Sequence, residues 1–472
     1  MRNGDVSFWW HSQGLPPRHK SLPESTEADV CIVGGGYTGL WTAYYLRQAA
    51  PALRVVVLEA TFAGFGASGR NGGWVTAALP GSRARYAKGP RRSAGGPGGR
   101  PPGRESVRAL EQALRDTVDE VARVCTAENI DAGLVKGGTL AVATSPAQDA
   151  RLRERIEAER AWGDEDDVVS YLDRDELAAR LRVADGLGAL YSPHCARIQP
   201  AALVAGLAAA TTRAGAELYE ATPVTAIEPG RARTPFGDVR ARHVLRCTEG
   251  FTAQLPGQRR RLLPMNSAMI VTEPLSDAAW DEIGWSGCET LGDEAHAYIY
   301  AQRTTDGRIA LGGRGIPYRF GSGLDDRGAV APGTAESLGR ILRQMFPAAA
   351  SAGIAHAWCG VLGVPRDWCA AVNLDPVTGL GSAGGYTGHG VAASNLAGRT
   401  LADLVRGADT PLVTLPWVGH RSPSWEPEPL RWTGVRSLYT LYRAADRLET
   451  RSAAPRTSPL ARVGDLISGI PH

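Results

Sequence analysis

Three glycines near the N-terminus have the spacing of a phosphate-binding turn. The pattern G-x-G-x-x-G begins at Gly34 and ends at Gly39. An apolar run at residues 29–33 predicts a buried strand before the turn, and residues 38–50 predict a helix after it. The free N–H groups at the start of such a helix bind an anionic diphosphate well; the alternative is a generic glycine turn of an α/β fold. The candidate contacts are Gly34, Gly36, Tyr37, Thr38 and Gly39.

A carboxylate follows the second predicted strand of the same unit. Residues 54–58 predict that strand, and Glu59 comes directly after it, 20 residues beyond Gly39. A carboxylate in this place accepts hydrogen bonds from a ribose diol and repels a 2′-phosphate. The strand–turn–helix–strand unit therefore favours FAD or NAD over NADP; the alternative reading of Glu59 is a surface charge.

A second glycine-rich loop follows Glu59, over residues 64–73. Its backbone N–H groups and hydroxyls could meet a second set of cofactor atoms. An extended FAD molecule would pass between the two loops, whereas a plain NAD dehydrogenase does not need the second one. An ordinary flexible loop is the alternative. The candidate contacts here are Ala67, Ser68, Arg70, Asn71, Gly72 and Gly73.

A third glycine-rich segment lies far downstream. Residues 384–390 read Gly-Gly-Tyr-Thr-Gly-His-Gly and predict a turn into a helix over residues 391–406. Together with residues 29–40 and 66–73, this segment resembles the D-amino-acid-oxidase-like family of FAD-dependent oxidoreductases, nearest its γ-glutamylputrescine oxidase-like branch. Weaker likeness joins the three stretches, so the resemblance covers most of residues 25–415.

The resemblance implies FAD as the cofactor and adds contacts to it. In this family the helix after the third segment points its N-terminus at the pyrimidine end of the flavin, where negative charge gathers on reduction. By resemblance, Val224 contacts adenine through its backbone and Thr248 lies near the cofactor. The implied contacts to the isoalloxazine ring are Gly385, Tyr386, Gly388, His389, Gly390 and Val391.

The resemblance also implies a reaction on a small amine or amino acid. The neutral amine would pass a hydride from its α-carbon to the flavin, and water would hydrolyse the imine. Oxygen or another carrier would then accept the electrons. Two alternatives stay open: a flavin dehydrogenase or hydroxylase acting on a non-amine substrate, and an FAD-binding protein without turnover.

The catalytic candidates are His389, Arg314 and Tyr300. His389 could polarise the flavin, face the substrate, or cap a helix. Arg314 could bind a substrate carboxylate bidentately or form a surface salt bridge. Tyr300 alternates with Tyr298 along a predicted strand and could wall the substrate pocket or simply pack there. Cys359 is a candidate for covalent flavin attachment, as in the related sarcosine oxidases, with a small buried hydrophobe as the alternative.

The fold class expected from these elements is α/β, with a Rossmann-type FAD-binding domain and an interleaved α+β substrate domain. The substrate domain should contain a mixed, largely antiparallel sheet. Residues 1–26 are expected to be irregular, residues 83–104 a disordered Gly/Pro/Arg-rich insert, and residues 419–472 a helical extension. The expected FAD-binding segments are 27–82, 197–256 and 357–418, and the substrate-domain segments are 105–196 and 257–356.

Composition excludes several other classes of protein. The 472 residues are 43% hydrophobic and 21% charged, which is typical of a globular chain of two to three domains. Only three of the basic residues are lysines, but acidic residues are interspersed with the arginines, so no nucleic-acid surface is expected. The seven cysteines contain no Cys-x-x-Cys pair, so neither a metal site nor a redox dithiol is expected. No stretch approaches a membrane span, and a cytoplasmic location is expected.

Overall fold

The computed structural model describes residues 1–89, 103–313, 318–324, 327–452 and 454–468, and these form two large sheets and a small one. The strands are β1 (Arg2–Asn3), β2 (Thr26–Val33), β3 (Val55–Leu58), β4 (Trp74–Thr76), β5 (Thr139–Ala143), β6 (Ser170–Leu172), β7 (Gly188–Ser192), β8 (Cys195–Arg197), β9 (Glu217–Tyr219), β10 (Ala226–Glu228), β11 (Arg231–Thr234), β12 (Gly237–Arg246), β13 (Leu263–Thr272), β14 (Thr290–Asp293), β15 (Ile299–Arg303), β16 (Ile309–Gly313), β17 (Ile354–Val364), β18 (Ala371–Leu374) and β19 (Leu380–Gly384). The α-helices are α1 (Phe8–Gln13), α2 (Tyr37–Ala49), α3 (Arg83–Tyr86), α4 (Arg104–Ala127), α5 (Pro146–Trp162), α6 (Arg174–Arg180), α7 (Pro200–Arg213), α8 (Asp277–Ile283), α9 (Pro332–Met345), α10 (Gly390–Arg406), α11 (Leu430–Ser452) and α12 (Pro459–Ser468).

The eight-stranded sheet carries the glycine turns. Its strand order is β10-β11-β12-β2-β3-β9, with β19 beside β12 and β18 beside β19. Strands β12, β2, β3 and β9 run parallel, and residues 30–33 pair with residues 55–58. These two runs are wholly buried, because helices such as α2 and α10 cover the sheet, and this explains why they are apolar at every position.

The nine-stranded sheet is mostly antiparallel, in the order β1-β17-β13-β16-β15-β14-β5-β7-β6. The parallel pairs are β1 with β17 and β14 with β5. Side chains on one face, among them Ile270 and Leu311, pack with Leu338 of α9 in one hydrophobic cluster. Tyr300, on β15, and Trp358, on β17, belong instead to the cluster shared with the eight-stranded sheet. The nine-stranded sheet therefore presents one face to its own helices and the other to the glycine loops.

Residues 2–13 contain strand β1 and helix α1, which corrects the expectation that all of residues 1–26 are irregular; residues 14–25 contain no helix or strand. Strand β1 pairs with β17, and the side chains of Trp9 and Trp10 in α1 are buried. The Trp9 indole N–H donates to the Asn71 carbonyl at 2.8 Å. The prolines that suggested an irregular segment lie after α1, so the buried aromatic residues before them determine the structure.

The prediction that residues 83–104 form a disordered insert is wrong at both ends of that range. Arg83 begins helix α3 and forms ion pairs with Glu111 and Asp164 at 2.6 and 2.9 Å. The Tyr86 side chain is fully buried, and its hydroxyl donates to the carbonyls of Pro80 and Ala370. Helix α4 already begins at Arg104. Residues 90–102 lie outside the described residues.

Two further observations bear on the expected segments. Strand β17 covers residues 354–364 and pairs with β1 and β13, so it belongs to the nine-stranded sheet, although residues from 357 onward were expected in the FAD-binding domain. In the C-terminal segment, α11 and α12 pack against each other. None of the helices among the described residues is both long and apolar enough to span a lipid bilayer.

Candidate functional site

The first glycine turn joins β2 to α2 and tolerates no side chain at two positions. Gly34 has a φ of +111°, and a Cβ there would lie 2.5 Å from the Cys247 carbonyl oxygen. A Cβ on Gly39 would lie 2.0 Å from the Gly34 carbonyl oxygen. The residue before α2 is Gly36, which supplies no side-chain cap. The turn therefore closes tightly and leaves the helix N-terminus accessible to an anion, as a diphosphate site requires.

Glu59 lies beside this turn. Its carboxylate accepts the N–H of Gly35 at 2.8 Å and the N–H of Thr61 at 2.9 Å. Burial raises the pKa of Glu59, while the two backbone donors lower it. Val224 packs partly buried in the hydrophobic cluster that includes Val33 and Leu58, the last residues of β2 and β3. The carboxylate and Val224 are thus both close to the carboxyl ends of adjacent parallel strands, where α/β sheets bind ligands.

The second glycine loop contacts the first through a hydroxyl. Ser68 lies in a 3₁₀ turn, and its Oγ accepts the N–H of Tyr37, the first residue of α2, at 2.8 Å. The side chains of Arg70 and Asn71 shape their own loop. The Arg70 Nε donates to the Phe65 carbonyl at 2.8 Å, and the Asn71 amide donates to the Ser68 carbonyl at 2.8 Å and accepts the Gly73 N–H at 2.7 Å.

The third glycine segment also reaches the first. The hydroxyls of Tyr386 and Thr38 lie 3.0 Å apart, and both side chains are buried. Burial raises the pKa of Tyr386 well above its ordinary value. Helix α10 begins after this segment with His389 at its N-cap, and the His389 side chain makes no capping hydrogen bond to the helix. Residues that lie 348 positions apart in the chain therefore line one continuous surface.

Glu249 holds the third segment in place and was missed from the sequence. It follows Thr248 directly, has a φ of +41°, and its Oε1 accepts the N–H groups of Gly385 and Tyr386 at 3.0 and 3.1 Å. Its Oε2 is enclosed beside Gly363, whose backbone N–H lowers the Glu249 pKa, and it makes no well-aligned hydrogen bond among the described residues. Burial raises the pKa of Glu249 to about 7. In the sequence, Glu249 is only an acidic residue shortly after the predicted strand that became β12. No nearby residue connects it to residue 385.

Tyr300 faces the second glycine loop from the nine-stranded sheet. Its hydroxyl lies 2.8 Å from the Ser267 hydroxyl on β13, and its ring meets the Trp74 ring edge-on at a centroid distance of 6.3 Å. A Cβ on Gly72 would lie 2.7 Å from the Tyr300 ring. The neighbouring Tyr298 is more exposed. Tyr300 thus lies against the loop, whereas the predicted partner Arg314 lies outside the described residues.

Cys359 lies on the opposite face of β17 from Trp358. Trp358 donates its indole N–H to the Arg70 carbonyl at 2.9 Å, on the side of the glycine loop. The Cys359 thiol packs in the other cluster, 3.6 Å from the Ala329 carbonyl oxygen. This arrangement directs the thiol away from the loop and favours the reading of Cys359 as a small buried hydrophobe.

Two groups of side chains bring metal-ligating atoms together among the described residues. In one, His420 Nε2 lies 2.8 Å from an Asp367 carboxylate oxygen. In the other, His296 Nε2 lies 3.0 Å from a Glu449 oxygen, and Asp446 accepts the backbone N–H of His296 at 2.8 Å. These atoms already bond to one another, and the groups are explained by packing and ion pairing.

Comparisons with known proteins agree on one family and one fold. The family model described as "FAD dependent oxidoreductase" (DAO) matches residues 29–404. The chain is 32% identical to gamma-glutamylputrescine oxidoreductase of Escherichia coli (strain K12) over 395 residues, which are 82% of this chain and 85% of the relative. It is 30% identical to the probable oxidoreductase OrdL of Rhizobium meliloti (strain 1021) over 416 residues, 86% of this chain and 90% of the relative.

Solved structures resemble the fold at lower sequence identity. Glycine oxidase from Geobacillus kaustophilus gives a TM-score of 0.67 at 24% identity and covers 84% of this chain and 99% of its own. L-proline dehydrogenase from P. horikoshii gives 0.63 at 18% identity, with 84% and 98% covered. The expected fold class, an α/β Rossmann-type domain with an interleaved substrate domain, is confirmed by these neighbours.

Proposed function

Because this chain belongs to the DAO family of FAD-dependent oxidoreductases, we propose that it oxidises a carbon–nitrogen bond of a small amine or amino acid. Its dependence on FAD follows from the family match over residues 29–404. The choice of substrate class rests on the printed names of the relatives, which include a gamma-glutamylputrescine oxidoreductase and a glycine oxidase. We place the reaction beside the Tyr300 ring, on the face of the nine-stranded sheet that meets the second glycine loop.

The described residues fit an extended FAD molecule. The N-terminus of α2, where Gly36 supplies no side-chain cap and Ser68 accepts the Tyr37 N–H, suits the diphosphate, and Glu59, directly after β3, suits a ribose. The turn at residues 384–390 and the start of α10 suit the flavin ring. In this proposal the cofactor is held by Gly34, Gly36, Tyr37, Thr38, Gly39, Glu59, Ala67, Ser68, Arg70, Asn71, Gly72, Gly73, Val224, Thr248, Gly385, Tyr386, Gly388, His389, Gly390 and Val391.

FAD bound here would supply an acceptor for the hydride on the α-carbon of a neutral amine. The chain supplies position, charge and exclusion of water. Because His389 gives the N-terminus of α10 no side-chain cap, the positive end of that helix would stabilise negative charge on a flavin ring held beside it. Glu249 fixes the two N–H groups of the turn before it. The helix can stabilise that charge only if it stays in place. We propose that Glu249 holds it there through the turn.

The substrate side is formed by the nine-stranded sheet. The edge-on Trp74 ring and the Tyr300 ring form an apolar wall, and the hydroxyls of Tyr300 and Ser267 form a polar point within it. We assign Tyr300 to orient the substrate, with His389 facing it from the start of α10. Arg314 is proposed to bind a substrate carboxylate, where the substrate has one. Loss of a hydride from the α-carbon and of a proton from nitrogen leaves an imine, in which carbon and nitrogen are still bonded. Bulk water hydrolyses this imine to a carbonyl compound and ammonia or an amine.

The observation that carries the proposal is that Tyr300 lies directly against Gly72, near the end of the second glycine loop. A product assay tests it. FAD-loaded protein is incubated with primary amines, N-methylated amines and amino acids, and separately with alcohols and hydroxy acids of matched carbon skeleton. Carbonyl product, released ammonia or amine, and oxygen uptake are measured, with a dye acceptor in parallel. We expect carbonyl product from a nitrogen compound and none from its oxygen analogue. Turnover of the oxygen analogues alone would contradict the proposal.

A further inference from the structure

A cavity of about 450 Å³ lies apart from the glycine turns. It is bounded by α1, the turn at residues 131–133, the end of β8 and the end of β15. None of the residues that line it is among the proposed FAD contacts. It borders the second glycine loop from outside, because Trp9 and Gln302 line it and donate to the carbonyls of Asn71 and Gly72 at 2.8 and 2.7 Å.

Arg197 places a buried positive charge in this wall. Its side chain lines the cavity, and the residue is only 7% exposed. Nη1 donates to the Arg303 carbonyl at 2.8 Å, while Nε is enclosed and has no hydrogen-bond partner. No carboxylate among the described residues forms an ion pair with it. Burial lowers the pKa of the Arg197 guanidinium. Among the described residues this buried guanidinium therefore lacks a counter-charge, and its Nε lacks an acceptor.

The carboxylates that line the cavity do not supply that counter-charge. Asp306 accepts the Thr304 hydroxyl at 2.7 Å and pairs with Arg308 at 2.6 Å. Asp131 lies exposed at the rim, and its Oδ1 accepts the Gly133 N–H at 3.2 Å. The charge inside the cavity is therefore positive, and the negative charges lie at its edge.

We propose that this cavity binds a small organic carboxylate, which accepts hydrogen bonds from the Arg197 guanidinium. A carboxylate matches the planar fork and would neutralise the Arg197 charge. The site is separate from the proposed amine-oxidising site, so it would remain if the substrate class were wrong. Its occupant would touch Gln302, which also holds the Gly72 carbonyl.

The test uses the full-length, FAD-loaded protein. Thermal unfolding and isothermal titration are measured with sodium acetate and sodium succinate, against sodium chloride at equal ionic strength and against inorganic phosphate. The variants are Arg197→Met, which removes the charge, and Arg197→Lys, which keeps the charge but loses the fork. Arg213→Met is the matched control, because Arg213 is an exposed arginine paired with Glu128 at 2.9 Å.

We expect acetate or succinate, but not chloride, to raise the melting temperature of the wild type and of Arg213→Met. Arg197→Met should lose that response, and Arg197→Lys should bind roughly tenfold more weakly or worse. Without carboxylate, Arg197→Met should melt no lower than the wild type, because it removes an unpaired buried charge.

Four results would overturn the proposal. The wild type could fail to respond to either carboxylate, or Arg197→Met could keep the full response. A response to phosphate equal to that of the carboxylates would exclude a carboxylate site. A strongly lowered melting temperature of ligand-free Arg197→Met would show that the guanidinium serves the fold through the Arg303 carbonyl instead.

Discussion

Two glutamates support the proposed cofactor site at its two ends, and they do so in the same way. Glu59 accepts the N–H of Gly35, 24 residues away, and of Thr61, and Glu249 accepts the N–H groups of Gly385 and Tyr386, 136 and 137 residues away. Each carboxylate fastens a glycine turn. Glu59 belongs to a local strand–turn–helix–strand unit with a known spacing. Glu249 instead joins the ends of β12 and β19, which only the tertiary structure brings together.

The two carboxylates differ in what surrounds them. Gly385 and Tyr386 are both buried, so their N–H groups have no access to water, whereas Thr61 is partly exposed. The enclosed Oε2 of Glu249 makes no well-aligned hydrogen bond among the described residues, and burial raises the pKa of Glu249 to about 7. The free energy of unfolding should therefore depend more on the carboxyl group of Glu249, and on its protonation, than on the carboxyl group of Glu59.

The largest expected effect is loss of the local turn at the Glu59 end. In Gly39→Ala the new Cβ would lie 2.0 Å from the Gly34 carbonyl oxygen, so the turn must open. We expect about 3 kcal/mol or more of destabilisation and loss of bound FAD, measured by urea unfolding and by the flavin content of purified protein. Gly434→Ala is the control: it lies in α11 with open space around it and should gain up to about 1 kcal/mol. Normal flavin content in Gly39→Ala would contradict the tight turn.

Removing each carboxyl group compares the two ends directly. Glu249→Ala should cost about 2–3 kcal/mol, because it leaves two buried N–H groups without an acceptor. Glu59→Ala should cost about 1 kcal/mol, because water can replace one of the bonds, and should mainly weaken FAD binding. Urea unfolding of the FAD-free proteins and FAD titration measure these effects. The reverse order of stability would show that the Glu249 contacts matter less than the structure implies.

The pH dependence sharpens the same comparison. A raised pKa means that the folded state prefers protonated Glu249, so its stabilising contribution is complete below the ordinary value of 4.5 and is lost as pH rises through about 7. Glu249→Gln cannot ionise. Its free energy of unfolding, relative to wild type, should therefore increase by about 1–3 kcal/mol between pH 5 and pH 7 and stay constant above that.

Glu59→Gln is the matched variant for that series. Burial also raises the pKa of Glu59, so its relative stability should change in the same direction. We expect a smaller change, since both of its oxygens accept a backbone N–H. A relative stability of Glu249→Gln that is flat from pH 5 to pH 7 would be inconsistent with a raised pKa at this site.

A smaller effect is expected at the substrate side. Tyr300→Phe removes the hydroxyl that meets Ser267, and it should lower the rate of flavin reduction about tenfold while changing stability by less than about 1 kcal/mol. Stopped-flow absorbance under nitrogen measures the rate. Tyr298→Phe, directly before the same strand and more exposed, is the control and should reduce at the wild-type rate. Equal rates for all three proteins would remove Tyr300 from the proposed site.

The smallest effect is expected at Cys359. Its thiol points away from the glycine loop, so Cys359→Ser should keep its flavin, and acid precipitation should release all FAD from both proteins. Flavin that stays with precipitated wild type but not with Cys359→Ser would establish covalent attachment.

Sequence reasoning succeeded where the signal is local. The spacing of Gly34, Gly39 and Glu59 is enough to place a turn, because strand, turn, helix and strand follow one another without interruption. It failed at Glu249, because the glycines it holds are far away in the chain. It also failed at Tyr86, where a Gly/Pro/Arg-rich composition nearby suggested disorder although a single buried tyrosine holds the preceding residues.

The loop residues show a third kind of limit. Arg70 and Asn71 are predicted cofactor ligands, and that role stays a prediction; in the structure their side chains also donate to the carbonyls of Phe65 and Ser68. Residue type shows that a side chain can donate hydrogen bonds, and only the structure shows where those bonds go. The same holds for Cys359, whose face of β17 depends on the register with β13.

The most direct test of the central claim is the visible spectrum of the FAD-loaded protein under nitrogen, before and after addition of amines, amino acids and their oxygen analogues. The account predicts that the flavin bands bleach with at least one amine or amino acid and with no alcohol or hydroxy acid. A flavin that dithionite reduces, but that no nitrogen compound bleaches while a hydroxy compound does, would contradict it.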